Sequence, residues 1–167
     1  MSKEMIFREA TPDNLTELRD LGLASFGQFK DILLAENWEK LRMSLSNENI
    51  YRDLLAKSVA FVCVVDGKIV GAAYFISSGN PTDIYLTDWS YIRMVGVHPE
   101  FSGLGIGKKL MNCCVDHAIR TGEKTVALHT SEFMDAARHI YENMGFVRLK
   151  EIEPRFGKTY WIYTLDL

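Results

Sequence analysis

The chain of 167 residues carries 19 Lys and Arg against 22 Asp and Glu, a formal net charge of −3, with 47% hydrophobic and 25% charged residues. This is the balance of a soluble globular domain long enough to bury a core, and it excludes a nucleic-acid binder that works through bulk positive charge. No run has the length and apolarity of a signal peptide or membrane span, so one domain over residues 1–167 is expected in the cytoplasm, with neither membrane nor nucleic-acid partner.

Ile6 to Glu9 reads as a short strand, ended by Thr11-Pro12-Asp13, with Thr11 as N-cap and Pro12 at the first helical position, where a missing N–H is harmless. Leu15, Leu18 and Leu21 carry a helix to about Ser25. A second helical region runs from Asp31 to Lys57 and is broken by Ser46-Asn47-Glu48. Val59 to Val65 and Ile69 to Ile76 are β-rich runs joined by Asp66-Gly67, a type I′ hairpin signal. After a loop at Ser77 to Pro81, Thr87 to Val97 returns as a third antiparallel strand. A helix covers about Gly105 to Thr121 and stops at Gly122; Thr125 to His129 is a strand. Met134 to Met144 is a helix capped by Gly145, and strands from Phe146 to Ile152 and from Thr159 to Leu165 close the sheet. The class is a mixed α/β (α+β) domain. Cys63, Cys113 and Cys114 form neither a metal spacing nor an even disulfide set, which fits a reducing compartment and predicts no metal.

Ser102-Gly103-Leu104-Gly105-Ile106-Gly107-Lys108 is the segment richest in chemistry. Glycines at alternate positions before a helix let the backbone approach a ligand closely, and the unpaired N–H groups of the helix's first turn suit a phosphate. A Walker A loop is excluded, because Lys109 follows Gly107-Lys108 and Ser stands at position 102. A Rossmann fingerprint fits poorly, because His98 to Ser102 separates strand from glycines and the next strand ends in His129-Thr130-Ser131 rather than an acidic residue.

The segment resembles the acetyl-CoA loop of the GCN5-related N-acetyltransferase superfamily, Gln/Arg-x-x-Gly-x-Gly/Ala after a Val-x-Pro strand end, here Val97-His98-Pro99. Ser102 departs from the usual Gln or Arg. Ala136-Ala137-Arg138-His139-Ile140-Tyr141-Glu142-Asn143-Met144-Gly145-Phe146 resembles a second motif of that family. The likeness runs from about Val59 to Leu167 and implies a single domain with a twisted, mostly antiparallel sheet of about six to seven strands and helices on both faces.

The resemblance also implies roles. Backbone N–H groups of Val95 and Val97 polarise the acetyl carbonyl, Gly96 serving a bulge there or relieving crowding beneath a helix. Ser102, Gly103, Leu104, Gly105, Ile106, Gly107 and Lys108 form the pyrophosphate cradle, with Lys108 and Lys109 either contributing charge or lying in a solvated face. Tyr141 protonates the departing thiolate. Met134 stands where an asparagine is frequent and packs on the pantetheine arm. For the general base the candidates are Tyr91, acting through water, and Asp88. The expected reaction is direct transfer from acetyl-CoA, without a metal, to a primary amine of a small molecule or peptide, for which a slightly acidic chain is suited. The acceptor pocket is expected between the first two helices, the loop after Ile76 and the loop from Glu153 to Lys158, with Phe26, Phe29 and Trp38 as lining candidates. A non-catalytic acyl-CoA sensor is the alternative, and homodimerisation stays open.

Overall fold

A computed structural model describes residues 3–167. Strand β1 (Ile6–Glu9) leads through a 3₁₀ turn at Pro12–Asn14 into helices α1 (Leu15–Gly27), α2 (Ala35–Ser46) and α3 (Glu48–Lys57). Strands β2 (Val59–Val65), β3 (Lys68–Ile76) and β4 (Ser90–Val97) follow, then α4 (Ile106–Arg120), β5 (Thr125–Ser131), α5 (Asp135–Asn143), β6 (Val147–Arg155) and β7 (Lys158–Asp166). They form a seven-stranded sheet of order β1-β2-β3-β4-β5-β7-β6. Every pairing is antiparallel except β4 with β5.

The period-two pattern of β2 sorts its side chains onto two cores. Phe61, Cys63 and Val65 face Leu110, Met111 and Cys114 of α4, together with Tyr141 of α5 and Phe146. Ala60, Val62 and Val64 face Leu18 and Leu21 of α1 and Tyr51 and Leu54 of α3. Burial on both faces explains why β2 and β3 read as continuous apolar runs rather than alternating ones. Each fully buried side chain of this size contributes roughly 1.5–3 kcal/mol.

Local signals hold in most places. Asp66 and Gly67 take φ of 50° and 75°, the pair of positive values a type I′ turn needs, and Val65 pairs with Lys68 across it. Asn47 separates α2 from α3 and its side chain accepts the Asn49 N–H at 3.0 Å. Three readings are corrected. Pro12 opens a 3₁₀ turn rather than the helix itself, and the capping bond runs from the Thr11 N–H to Asn14 Oδ1 at 2.9 Å. Residues 87–89 are not strand, because the Gly79 N–H donates to Thr87 O and the Trp89 N–H to Leu86 O, which turns the chain before β4. Finally, β6 and β7 extend to a tight turn in which Phe156 and Gly157 both have positive φ, with Arg155 opposite Lys158. That turn abuts α2: Asn37 Nδ2 is 2.8 Å from where a Cβ on Gly157 would stand.

Candidate active site

The site begins where the two central strands part. β4 and β5 pair only through Ser90 with Val126 and Tyr91 with Ala127, so the edge of β4 from Ile92 onward has no strand partner on that side. The His98 N–H donates to Val70 O on β3 at 2.8 Å, and strand alternation then turns the Val97 N–H into the gap. A backbone donor left this way needs a partner, and a carbonyl oxygen supplies one. Tyr74 pairs with Arg93 and Ala72 with Gly96, so Met94 and Val95 together oppose Ala73 in a bulge. The left-handed φ of 52° there belongs to Met94, not to Gly96.

Gly96 serves the other purpose open to it. A Cβ at this position would lie 2.5 Å from Ser25 Oγ and 3.1 Å from Ser25 Cβ, both buried on α1. The glycine lets α1 sit on the bulged strand. Gly96→Ala is expected to lower stability by about 1–3 kcal/mol through overpacking, and Ser25→Ala in the same chain to recover part of that loss. Urea denaturation of the four proteins of this cycle measures the coupling.

β4 continues through a 3₁₀ turn at Pro99–Phe101 into the glycine loop. Gly103 and Gly105 both have φ of 78°, and Gly105 is the N-cap of α4. No side chain caps that terminus and no acidic residue occupies its first turn, so the N–H groups of Ile106, Gly107 and Lys108 are free to bind an anion. Ser102 Oγ donates to Pro99 O at 2.9 Å, so this side chain folds back on its own turn. The Ile106 side chain is buried and anchors the helix, while those of Leu104 and Lys108 are exposed. Lys109 lies over the Phe7 ring at 5.8 Å.

The α5 helix docks against this first turn: Ile140 Cδ1 is 3.4 Å from where a Cβ on Gly107 would stand. The next residue, Tyr141, enters the core beside Phe146, 6.1 Å between ring centroids. Burial, with a smaller contribution from Cys114, raises its hydroxyl pKa above the ordinary phenol value, so the group stays protonated. The fully enclosed, unpartnered side-chain polar atoms among the described residues are Tyr51 Oη, Ser58 Oγ and Arg138 Nε; the Tyr141 hydroxyl is not among them. Met134 is the N-cap of α5 and half-buried, and the Thr130 hydroxyl donates to its sulfur at 3.6 Å.

The profile described as the Acetyltransferase (GNAT) family matches residues 17–146. The chain belongs to the GNAT acetyltransferase family. A probable N-acetyltransferase camello from Xenopus tropicalis is 29% identical over 114 residues, covering 67% of this chain and 50% of that protein. N-alpha-acetyltransferase 30 of Saccharomyces cerevisiae is 37% identical over 62 residues, covering 37% of this chain and 35% of that one. The chain thus spans half or less of these curated relatives. Among solved structures, the PaiA N-acetyltransferase of Thermoplasma acidophilum in complex with coenzyme A superposes with a TM-score of 0.79 at 13% identity, covering 98% of this chain and 99% of that one, a likeness of fold.

On the opposite face of the GNAT sheet, the two base candidates are not brought together. Asp88 is exposed in the turn before β4, seven residues from Val95. Tyr91 is buried, donates its hydroxyl to Asn80 O at 2.9 Å and stacks on Tyr85 with centroids 4.1 Å apart. Burial raises its pKa, so it is a proton donor already committed to a carbonyl. On this face a set that the sequence does not single out gathers at His129, which the β4–β5 register sets opposite Arg93: Tyr85 and Arg155 both touch it. Tyr85 Oη lies 2.5 Å from His129 Nδ1, and Arg155 Nη1 lies 3.3 Å from His129 Nε2. Since a guanidinium only donates, Nε2 carries the lone pair and the Nδ1–H donates to Tyr85. Nearby, Phe29 packs edge-on against Phe26 at 6.4 Å and Phe133 at 5.0 Å, and Phe133 against Tyr160 at 6.3 Å; Trp38 is half-buried on α2, outside this run. Among the described residues no group of three metal-ligating side chains occurs, and no helix is long and apolar enough to cross a membrane.

Burial, then Arg155 and Arg93, push the His129 pKa down to about 3. The unfolded chain binds a proton there near pH 6.5 while the folded one does not, so this residue's stability contribution is fully present above pH 6.5 and is lost as pH falls toward 3. Between pH 7 and pH 5 the wild type is expected to lose about 1–2 kcal/mol more than His129→Gln, measured by urea denaturation.

Proposed function

We propose that this chain is an N-acetyltransferase that moves an acetyl group from acetyl-CoA directly to a primary amine of a small molecule or peptide. The observation that carries this reading is the open edge of β4 leading straight into the uncapped N-terminus of α4. One run of backbone thus offers donors for a thioester carbonyl and, about two turns on, donors for a pyrophosphate. These donors fit coenzyme A: they are backbone groups without side-chain caps, on a terminus without acidic residues. Acetyl-CoA supplies the activated acetyl group when bound. The Val97 N–H would hold the carbonyl oxygen, Tyr141 would supply a proton to the departing sulfur, and Met134, the N-cap of α5, would pack on the pantetheine arm.

Direct transfer is favoured because none of the thiols suits an acyl-enzyme. Cys63 and Cys114 are fully buried, Cys113 is half-buried, and burial raises the pKa of all three. All three are free, which suits a cytoplasmic location. An alkylammonium must first lose its proton, an equilibrium cost of roughly 4–5 kcal/mol at neutral pH.

Tyr91's commitment to Asn80 is the observation that favours the rival reading, an acyl-CoA sensor without turnover. Thiol release from acetyl-CoA with a panel of amines and short peptides, beside a calorimetric titration with CoA, decides between them. Amine-stimulated release supports the transferase. CoA binding with no release from any acceptor supports the sensor, and absence of CoA binding overturns both.

A further inference from the structure

We propose that the acceptor carries a carboxylate close to its reactive amine, and that Arg93 on β4 and Arg155 at the end of β6 receive it. The inference rests on the acetyltransferase reading and names its substrate class.

Strand register places the first arginine. Tyr91 and Ala127 are partners in the parallel β4–β5 pair, so two residues further Arg93 comes opposite His129, past the point where pairing has stopped. Period-two alternation puts Arg93 on the face of Tyr91 and His129 on the face of Ala127, and Tyr91 and Ala127 belong to the same core, beneath α1. Arg93 and His129 therefore face each other across the gap, on the side away from α4. The second arginine arrives from the β6–β7 turn and touches His129 Nε2 with one nitrogen at 3.3 Å. That contact uses one of its five N–H donors.

Both guanidiniums are half-buried, and neither makes an ion pair among the described residues; the cations that do are Lys3, Arg19, Arg42 and Arg138. The imidazole between them offers no counter-charge. Two half-buried cations that meet at one neutral imidazole, neither of them ion-paired with the protein, call for an anionic guest. The net charge of −3 conceals this. Arg155 also lines a groove of about 360 Å³ between the β3–β4 loop and β6, whose other charged residues are Lys150 and the carboxylates Asp83, Glu151 and Glu153, none of them ion-paired with it. An anionic group lying in that groove would meet those carboxylates. The carboxylate is therefore held beside the gap, next to the amine, as in an α-amino acid.

The same arrangement bears on the proton problem. Two guanidiniums against one carboxylate leave net positive charge around the amine, which favours its neutral, nucleophilic form. A polyamine brings these two guanidiniums no anion.

The test uses matched acceptors in the thiol-release assay: L-phenylalanine against phenethylamine and L-phenylalaninamide, L-ornithine against putrescine, and the common amino acids as a set. The carboxylate-bearing acceptors that are used should exceed their uncharged or decarboxylated counterparts in kcat/KM by about 30-fold. Arg93→Gln and Arg155→Gln should each raise the acceptor KM about tenfold or more while the KM for acetyl-CoA stays put, which also reports that the variants are folded, and Lys at either position should restore part of the loss. Equal use of both members of a pair, preference for the decarboxylated amine, or unchanged acceptor KM in the folded variants overturns the proposal and leaves the transferase intact. So does silence of every carboxylate-bearing acceptor with a protein that binds CoA and acetylates another amine, whereas silence of all acceptors overturns the transferase reading and the acceptor proposal together. Failure to bind CoA instead overturns the underlying transferase reading, and the acceptor proposal falls with it.

Discussion

Tyr141→Phe is expected to reduce turnover by about 100-fold while CoA affinity stays within twofold of the wild type. The substitution removes one oxygen and keeps the ring. Tyr141 is 6% exposed and packs in the core with Phe146 and Cys114, so the phenyl ring preserves the packing that holds α5 against α4. What is lost is a hydroxyl that burial keeps protonated. A free thiol has a pKa of about 8.5, so a thiolate is a tolerable leaving group at neutral pH, and the gain from protonating it falls at the low end of the ~10²–10⁴ span of general acid catalysis. Steady-state kinetics at saturating acetyl-CoA measure the effect. Unchanged turnover in a folded protein would leave Tyr141 as a packing residue.

The elements of the fold are legible wherever one local signal fixes them. Asp66-Gly67 sets a hairpin because two consecutive residues accept positive φ there, and Leu15, Leu18 and Leu21 set a helix because one face must be buried. Boundaries fail where long-range contacts choose between two plausible local states. Residues 87–89 have strand composition, yet the Gly79 N–H takes the Thr87 carbonyl and turns the chain. Phe156-Gly157 has none of the usual I′ residues at its first position, but pairing of β6 with β7 on both sides forces Phe156 to φ 53°. Met94 is the same case: the bulge falls where β3 and β4 lose register, and Gly96 is already claimed by contact with Ser25.

The two halves of the site differ in the same way. The proposed donor side lies in two short stretches, Val95 to Lys108 and Met134 to Tyr141, so sequence order alone suggests it. The proposed acceptor side draws Tyr85 from a loop, Arg93 from β4, His129 from β5 and Arg155 from the end of β6, and no spacing links them. The one signal for them is parity: Tyr91 and Arg93 share a face, and so do Ala127 and His129, which becomes meaningful only once the β4–β5 register is known. For the same reason Asp88 and Tyr91 look alike in sequence as base candidates, though one ends in an exposed turn and the other in a buried stack.

Gly105→Val should weaken CoA binding at least tenfold with the fold retained, and the reason is conformational rather than steric. Gly105 has φ of 78°, and a Cβ built there meets nothing within 4 Å. A β-branched residue in this left-handed state costs on the order of 1–2 kcal/mol or more, and the cheapest relief is for the exposed loop to rotate. Rotation moves the first-turn N–H groups of α4 off a common target, and these groups are the proposed anion site. The Val side chain also occupies the space by which a phosphate would approach. Gly122 supplies the control, with φ of 81°, equally open surroundings and a place just beyond the other end of α4. Gly122→Val carries the same backbone strain and should lower Tm by a similar few degrees, yet leave CoA affinity unchanged. Calorimetric titration of both variants separates the effects. Equal loss of affinity in the two would trace the change to general destabilisation, whereas loss at Gly105 alone would locate the phosphate at the start of α4.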